Sequence, residues 1–347
     1  MSLGPGTFVA ASSSRRRVLA AVAAATALVT VLGACGSDSE GDEPATAASA
    51  SPSPTSASPS PSESDSGASQ TGALPKVSGG FGETPTIEVP DAEPPDELVV
   101  KVLSEGDGPK VKAGEVLVAD YLGVRWDGGE TFDSSFDRGP AGFSIGTGAV
   151  IPGWDSGLVG VPVGSRVMLV TPPDEAYGDT PPGEPIQAGD TLVFVVDILG
   201  THGANETAKG EPAPTEDDSL PYVSITPKEP QIIIPKGDPS GRLIALPVVV
   251  GDGPKVTKGQ TIVVQYKGVV WRTGKEFDSS WSRKAPFALQ IGVGGVISGW
   301  DKGLVGQTVG SRVLLVVPPK EGYGTQGNGD IKGTDTMVFA VDILGAY

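Results

Sequence analysis

The chain states one unit twice. Gly106-Asp107-Gly108-Pro109-Lys110-Val111 returns as Gly251-Asp252-Gly253-Pro254-Lys255-Val256, and Phe132-Asp133-Ser134-Ser135 returns as Phe277-Asp278-Ser279-Ser280, each 145 positions later. Val150-Ile151-x-Gly153-Trp154-Asp155 recurs at Val296-Ile297-x-Gly299-Trp300-Asp301, an offset of 146, which falls back to 145 at Phe194 and Phe339. One insertion and one deletion therefore separate the copies. A period this long is too large for a solenoid and has the size of an ordinary domain, so the 347 residues contain two tandem globular copies. Each is long enough to bury its own core, and the function must lie in what they share.

The front end is different in kind. Ser14-Arg15-Arg16-Arg17 precedes an alanine-rich apolar run from Val18 to Val31, followed by Leu32-Gly33-Ala34-Cys35. The run is too short to span a bilayer comfortably but has the length of a signal-peptide apolar region. Leu-Gly-Ala-Cys resembles a bacterial lipobox. That resemblance implies a signal peptide over residues 1–34, lipid attachment at Cys35, and a chain anchored at the outer face of the cell membrane. A simple secretory signal with an incidental cysteine is the alternative. The arginines suit either general secretory or twin-arginine export. Cys35 is the only cysteine, so no intramolecular disulfide can form.

Residues 35–71 carry six carboxylates and no basic side chain among Ser, Pro, Ala, Gly and Thr. Such a segment buries too little apolar surface to offset its ordering entropy, and is expected to be a disordered tether. The first copy is placed at 72–201 and the second at 219–347, opening on Leu74-Pro75-x-Val77-Ser78 and Leu220-Pro221-x-Val223-Ser224; the polar, acidic stretch 202–218 reads as a linker. The net charge of −17 argues against nucleic acid as a partner. The first copy holds 7 basic and 21 acidic residues and the second 14 and 10, a contrast that surface drift suffices to explain.

Alternating apolar residues predict strands. Ile262, Val264 and Tyr266 share one face of a run from Thr261, as do Met337, Phe339, Val341 and Ile343 near the C-terminus; Leu117, Ala119, Tyr121 and Leu192, Phe194, Val196, Ile198 are their counterparts. Only one stretch per copy has helical spacing: Ile151, Trp154, Leu158 and Ile297, Trp300, Leu304. The fold class is therefore α+β, each copy an antiparallel sheet with one short helix packed on it.

The catalytic inventory excludes more than it suggests. The single histidine, His202, falls in the linker, and neither copy holds a cysteine, so His-based triads, Cys nucleophiles and His/Cys metal sites are absent from both. Gly146-Thr147-Gly148 and Gly292-Val293-Gly294 lack the third glycine and the βαβ context of a phosphate loop. No metal or cofactor is expected.

What both copies repeat is a set of aromatic and aliphatic residues around one carboxylate. The string F-D-S-S, then V-I-x-G-W-D-x-G-L-V-G, V-G-S-R-V, P-P-x-x-x-Y-G and D-T-x-V-F, resembles FKBP-type peptidyl-prolyl cis/trans isomerases over 98–199 and 243–344. The resemblance implies two FKBP-like domains, each a curved antiparallel sheet wrapped around one short helix, with the pocket between them. It carries the family's pocket onto Tyr266, Phe277, Asp278, Arg283, Phe287, Val296, Ile297, Trp300, Tyr323, Ile331 and Phe339. In the first copy the counterparts are Tyr121, Phe132, Asp133, Arg138, Val150, Ile151, Trp154, Tyr177, Ile186 and Phe194. By resemblance Trp300 floors the proline site and Phe277, Phe339 and Tyr266 wall it. The Ile297 N–H and the Tyr323 hydroxyl would hold substrate carbonyls, with Asp278 orienting nearby polar groups; Ile151, Tyr177 and Asp133 would do the same in the first copy.

The expected partners are Xaa-Pro-containing polypeptides being folded after export, and the membrane through the lipid anchor. A module that binds proline segments without turning them over, as a chaperone or scaffold, is the alternative. Nothing predicts a long helical dimer segment, so a monomer is expected. The first copy lacks one residue after Arg138 and puts Ala141 where the second has Phe287, which predicts a thinner wall and a second copy that supplies most of the activity.

Overall fold

The computed structural model describes residues 73–213 and 215–347, and both copies belong to one compact unit. The proposed signal peptide, Cys35 and the tether lie outside the described residues. In the first repeat, a hairpin of Lys76–Ser78 (β1) and Thr86–Glu88 (β2) is followed by Val99–Ser104 (β3), Val116–Arg125 (β4), Thr131–Ser134 (β5) and Ala141–Ser144 (β6). The helix Pro152–Gly157 (α1) then leads to Arg166–Thr171 (β7) and Leu192–His202 (β8). The strand order is β3-β7-β8-β4-β5, all antiparallel, with β6 also pairing β4.

A short strand, Gly210–Pro212 (β9), follows. The second repeat is built from Tyr222–Val223 (β10), Ile232–Ile233 (β11), Ile244–Gly251 (β12), Thr261–Val270 (β13) and Glu276–Ser279 (β14). Ser280–Arg283 (α2), Phe287–Gln290 (β15), Ser298–Leu304 (α3), Arg312–Val317 (β16) and Met337–Ala346 (β17) complete it. Its sheet runs β14-β13-β17-β16-β12-β9, with β15 on β13. The strand carrying Tyr266 continues to Val270, and α2 is a one-turn helix beyond the single helix expected per copy.

Both faces of each sheet are covered. Along β16 the period-two alternation divides the side chains cleanly. Val313, Leu315 and Val317 join Trp300 and Leu304 of α3 in one core; Leu314 and Val316 join Val223 and Ile232 of the β10–β11 hairpin in another. That is why all six residues of β16, and of β7, are buried. The hairpins are locked by buried ion pairs. Arg312 grips Asp342 at 2.6 and 2.7 Å and donates to the Ser224, Thr226 and Lys228 carbonyls; Arg166 grips Asp197 and donates to Gly79 and Glu83. A guanidinium taken out of water is tolerated only when paired and hydrogen-bonded in this way.

Residues 202–218 begin in the first sheet and are held against the second. His202 is the buried last residue of β8, β9 pairs with β12, and Ala208 and Lys209 donate backbone N–H bonds to Asp342 and Gly310. The segment is held because its backbone groups find partners in the second sheet.

Candidate active site

The α3 helix starts where Ile297, at φ −58° and ψ 142°, turns the chain, and its third residue, Trp300, drops onto the sheet with 4% of its surface exposed. Around the indole the aromatic rings stand edge to face. Tyr266 from β13 lies 5.1 Å away at 87°, and Phe339 from β17 lies 5.5 Å away at 85°. Phe277 from β14 stacks 5.5 Å from Phe339 in the same manner. Such T-shaped contacts are favoured by the ring quadrupoles and fix each ring's tilt. The result is an open cavity of about 460 Å³ lined by Tyr266, Phe277, Asp278, Phe287, Gly295, Val296, Ile297, Trp300, Tyr323 and Phe339.

Nine of the eleven residues expected in this pocket line it. Arg283 and Ile331 do not. Arg283 stands behind the wall, donating to the Tyr266 hydroxyl at 2.7 Å and pairing with Asp278, while Ile331 is buried in the core beneath. The Tyr266 hydroxyl donates in turn to Asp278. Burial, then the bond to Asp278, pushes the Tyr266 phenol up to about 12, so it keeps its proton at neutral pH. The Ile297 N–H makes no hydrogen bond among the described residues, and the Trp300 Nε1–H is buried without a partner there. Leaving such a donor unpaired costs about 1–3 kcal/mol. Trp154 Nε1–H, at the equivalent place in the first repeat, is likewise buried without a partner among the described residues.

In the first repeat Tyr121, Trp154, Ile186 and Phe194 are buried together, with Phe132, Val150, Ile151 and Tyr177 packed against them. Arg138 donates to Tyr121 at 2.6 Å and pairs with Asp133 at 2.7 Å, and Tyr121 donates to Asp133. Burial, aided by the Asp133 carboxylate, pushes the Tyr177 phenol up.

The first repeat's wall is built differently from the expectation drawn from Ala141. Ala141 does occupy the register of Phe287, opposite Ala119 as Phe287 is opposite Val264. Two residues on, however, Phe143 takes the place of Leu289 and lays its ring 5.6 Å from Tyr121 and 4.9 Å from Trp154. Phe287 itself is 39% exposed, with its centroid 6.1 Å from Tyr266. It forms a rim, not a buried wall, so the first repeat has moved an aromatic inward instead of losing one.

Two features were missed in the sequence. A Cβ at Gly268 would lie 2.7 Å from Phe277 Cζ, and one at Gly123 would lie 2.4 Å from Phe132 Cζ, so only glycine lets the wall ring lie on the strand. A mid-strand glycine two residues after the tyrosine in both copies was the available signal. The second is Asp301, whose carboxylate accepts from Gly292 N–H at 2.6 Å and Gly294 N–H at 2.8 Å; Asp155 does the same for Gly146 and Gly148. These bonds tie the loop bearing Val296 and Ile297 to the helix bearing Trp300.

The family model for FKBP-type peptidyl-prolyl cis-trans isomerases matches residues 108–199 and 253–344. The chain belongs to that family. An FK506-binding protein of Streptomyces anulatus is 44% identical over 119 residues, 34% of this chain and 96% of that relative. The mouse peptidyl-prolyl cis-trans isomerase FKBP9 is 32% identical over 234 residues, 66% of this chain but only 35% of its own length. The crystal structure of AtFKBP13 is 34% identical over 31% of this chain and 95% of its own, with a TM-score of 0.29. The matched ranges cover β4 to most of β8 and β13 to most of β17 with the helices between them, and leave β3, β9, β12 and the β1–β2 and β10–β11 hairpins outside. Among the described residues no helix is long and apolar enough to cross a membrane.

Proposed function

We propose that this FKBP-family chain isomerises Xaa-Pro bonds in exported polypeptides while anchored by lipid at Cys35 to the outer face of the cell membrane. The observation that carries the activity is the open aromatic cavity over Trp300, free of any histidine or cysteine. Rotation about the amide faces about 18–20 kcal/mol from C–N double-bond character and needs neither a nucleophile nor a proton relay. Twisting removes the resonance and its charge separation, so an apolar, water-poor site favours the twisted amide over the planar one. Lowering the barrier by about 7 kcal/mol gives roughly a hundred-thousand-fold acceleration. Trp300 and Phe339 supply the apolar floor and wall, the unpaired Ile297 N–H a donor for a substrate carbonyl, and the Tyr266–Asp278–Arg283 group a fixed polar edge.

The second repeat is proposed as the principal site, since Phe287 gives it an exposed aromatic rim that Ala141 does not provide. A cis-to-trans peptide assay on the full chain tests both points. Trp300→Ala with Tyr323→Phe should remove most of the activity, and Trp154→Ala with Tyr177→Phe should leave most of it. Equal losses, or a larger loss from the first pair, would refute the ranking; binding of proline peptides without turnover in the parent protein would refute the activity. Cys35→Ser should move the protein from the membrane to the soluble fraction, and its retention in washed membranes would remove the anchor.

A further inference from the structure

The two repeats touch through equivalent positions. His202 and Tyr347 occupy the same place at the ends of β8 and β17, and their side chains meet, His202 Nε2 to Tyr347 Oη at 2.7 Å. Gly142 and Ala288 are likewise equivalent, opposite Val118 and Val263. A Cβ at Gly142 would stand 2.2 Å from the Ala288 Cβ. Contacts of residues with their own counterparts define a local two-fold, self-complementary face. The β6 and β15 strands lie at its centre, and each helps to build a pocket.

The face is symmetric in outline but not in its hydrogen bonds. Gln290 Nε2 donates to the Arg138 carbonyl at 3.0 Å, and Thr261 Oγ1 donates to the Pro140 carbonyl at 2.6 Å. Both reach from the second repeat onto the turn that delivers Arg138 to Tyr121 and Asp133. Among the described residues, no first-repeat side chain returns such a bond to the Arg283–Pro286 turn, which is one residue longer. The missing residue after Arg138, and the small pair Ala141-Gly142 in place of Phe287-Ala288, therefore fall where the second repeat docks. The shortened turn leaves two carbonyls that the neighbour satisfies.

We propose that the second repeat is a fixed part of the first repeat's pocket, with Gln290 and Thr261 acting as positioning residues that hold the Arg138–Pro140 turn. The proposal rests on the isomerase reading for its kinetic consequence, and on the contacts alone for its structural one. Neither Gln290 nor Thr261 lines the cavity over Trp300; they pair with each other across β13 and β15, and Gln290 Nε2 also donates to the Gly259 carbonyl in their own repeat, so the larger effect on turnover is expected in the first pocket.

The test uses the full chain. With the second pocket silenced by Trp300→Ala and Tyr323→Phe, adding Gln290→Glu and Thr261→Val should lower first-pocket kcat/KM about three- to tenfold, the size of one or two hydrogen bonds. With the first pocket silenced instead, the same two changes should leave second-pocket kcat/KM within about twofold. The amide resonances of Gly139 and Asp133 should shift while those around Ile331 stay in place. Gly142→Val, which forces the two strands apart, should give the same first-pocket loss and make Gln290→Glu silent. An unchanged first pocket, or equal loss in both pockets, overturns the proposal. If the parent protein turns over no peptide at either site, the isomerase reading fails separately; the Gly139 and Asp133 shifts then decide the coupling, and their absence overturns it.

Discussion

Tyr266→Phe in the second repeat separates the polar edge of the pocket from its apolar packing. The phenyl ring keeps its contacts with Trp300 at 5.1 Å and Phe287 at 6.1 Å, so the aromatic cluster is preserved. What goes is one oxygen that donates to Asp278 and accepts from Arg283 Nη2 at 2.7 Å. Hydrogen bonds to charged groups contribute about 1.5–3 kcal/mol. The Asp278 and Arg283 side chains are 40% and 47% exposed and still pair with each other, so water and the ion pair recover part of the loss. A net cost of about 1–2 kcal/mol remains for holding Asp278 in place. If that geometry is used in the transition state, second-pocket kcat/KM falls about five- to thirtyfold. The assay is cis-to-trans peptide isomerisation in a chain whose first pocket carries Trp154→Ala and Tyr177→Phe. Because the phenol is raised to about 12 from 10.0, its contribution is fully present below pH 10 and is lost only as pH climbs through 12. The ratio of parent to variant activity should therefore stay constant across the neutral range. Unchanged kcat/KM, or a ratio that varies between pH 6 and 8, would refute the assignment of Tyr266 to orienting Asp278.

Activity itself should be nearly flat from about pH 5.5 to 8, since His202 lies between the repeats and no cysteine enters either pocket; a bell-shaped kcat/KM profile in that range would reveal a titrating catalytic group. Asp342→Asn strips the buried Arg312 of its counter-charge and should cost about 3–5 kcal/mol in denaturant unfolding, and a loss below about 1 kcal/mol would show that the pair is not a lock on the β10–β11 hairpin.

Much of this molecule follows from the sequence alone. The 145-residue repeat fixes the number of units, period-two alternation fixes strands such as β13 and β17, and the isolated Ile-Trp-Leu spacing fixes the one helix that packs on each sheet. The order of F-D, V-I-x-G-W, Y-G and the late Phe supplies seven of the cavity's ten lining residues, because a pocket built from consecutive elements of one fold keeps their order in the chain. Local pattern fails where the partner is distant or of ambiguous face. Arg312 reads as one residue of V-G-S-R-V, and only the folded chain brings to it carbonyls 84 to 88 positions away and so covers the sheet's second face. Phe143 reads as an ordinary strand residue, yet register turns its ring onto Trp154 and offsets the loss at Ala141. His202, polar and preceding an acidic stretch, reads as linker; it is buried because Tyr347, 145 residues later, supplies a hydrogen-bond partner across the two-fold contact. A short window records what a residue prefers, whereas burial and partnership depend on which surfaces the tertiary fold presses together.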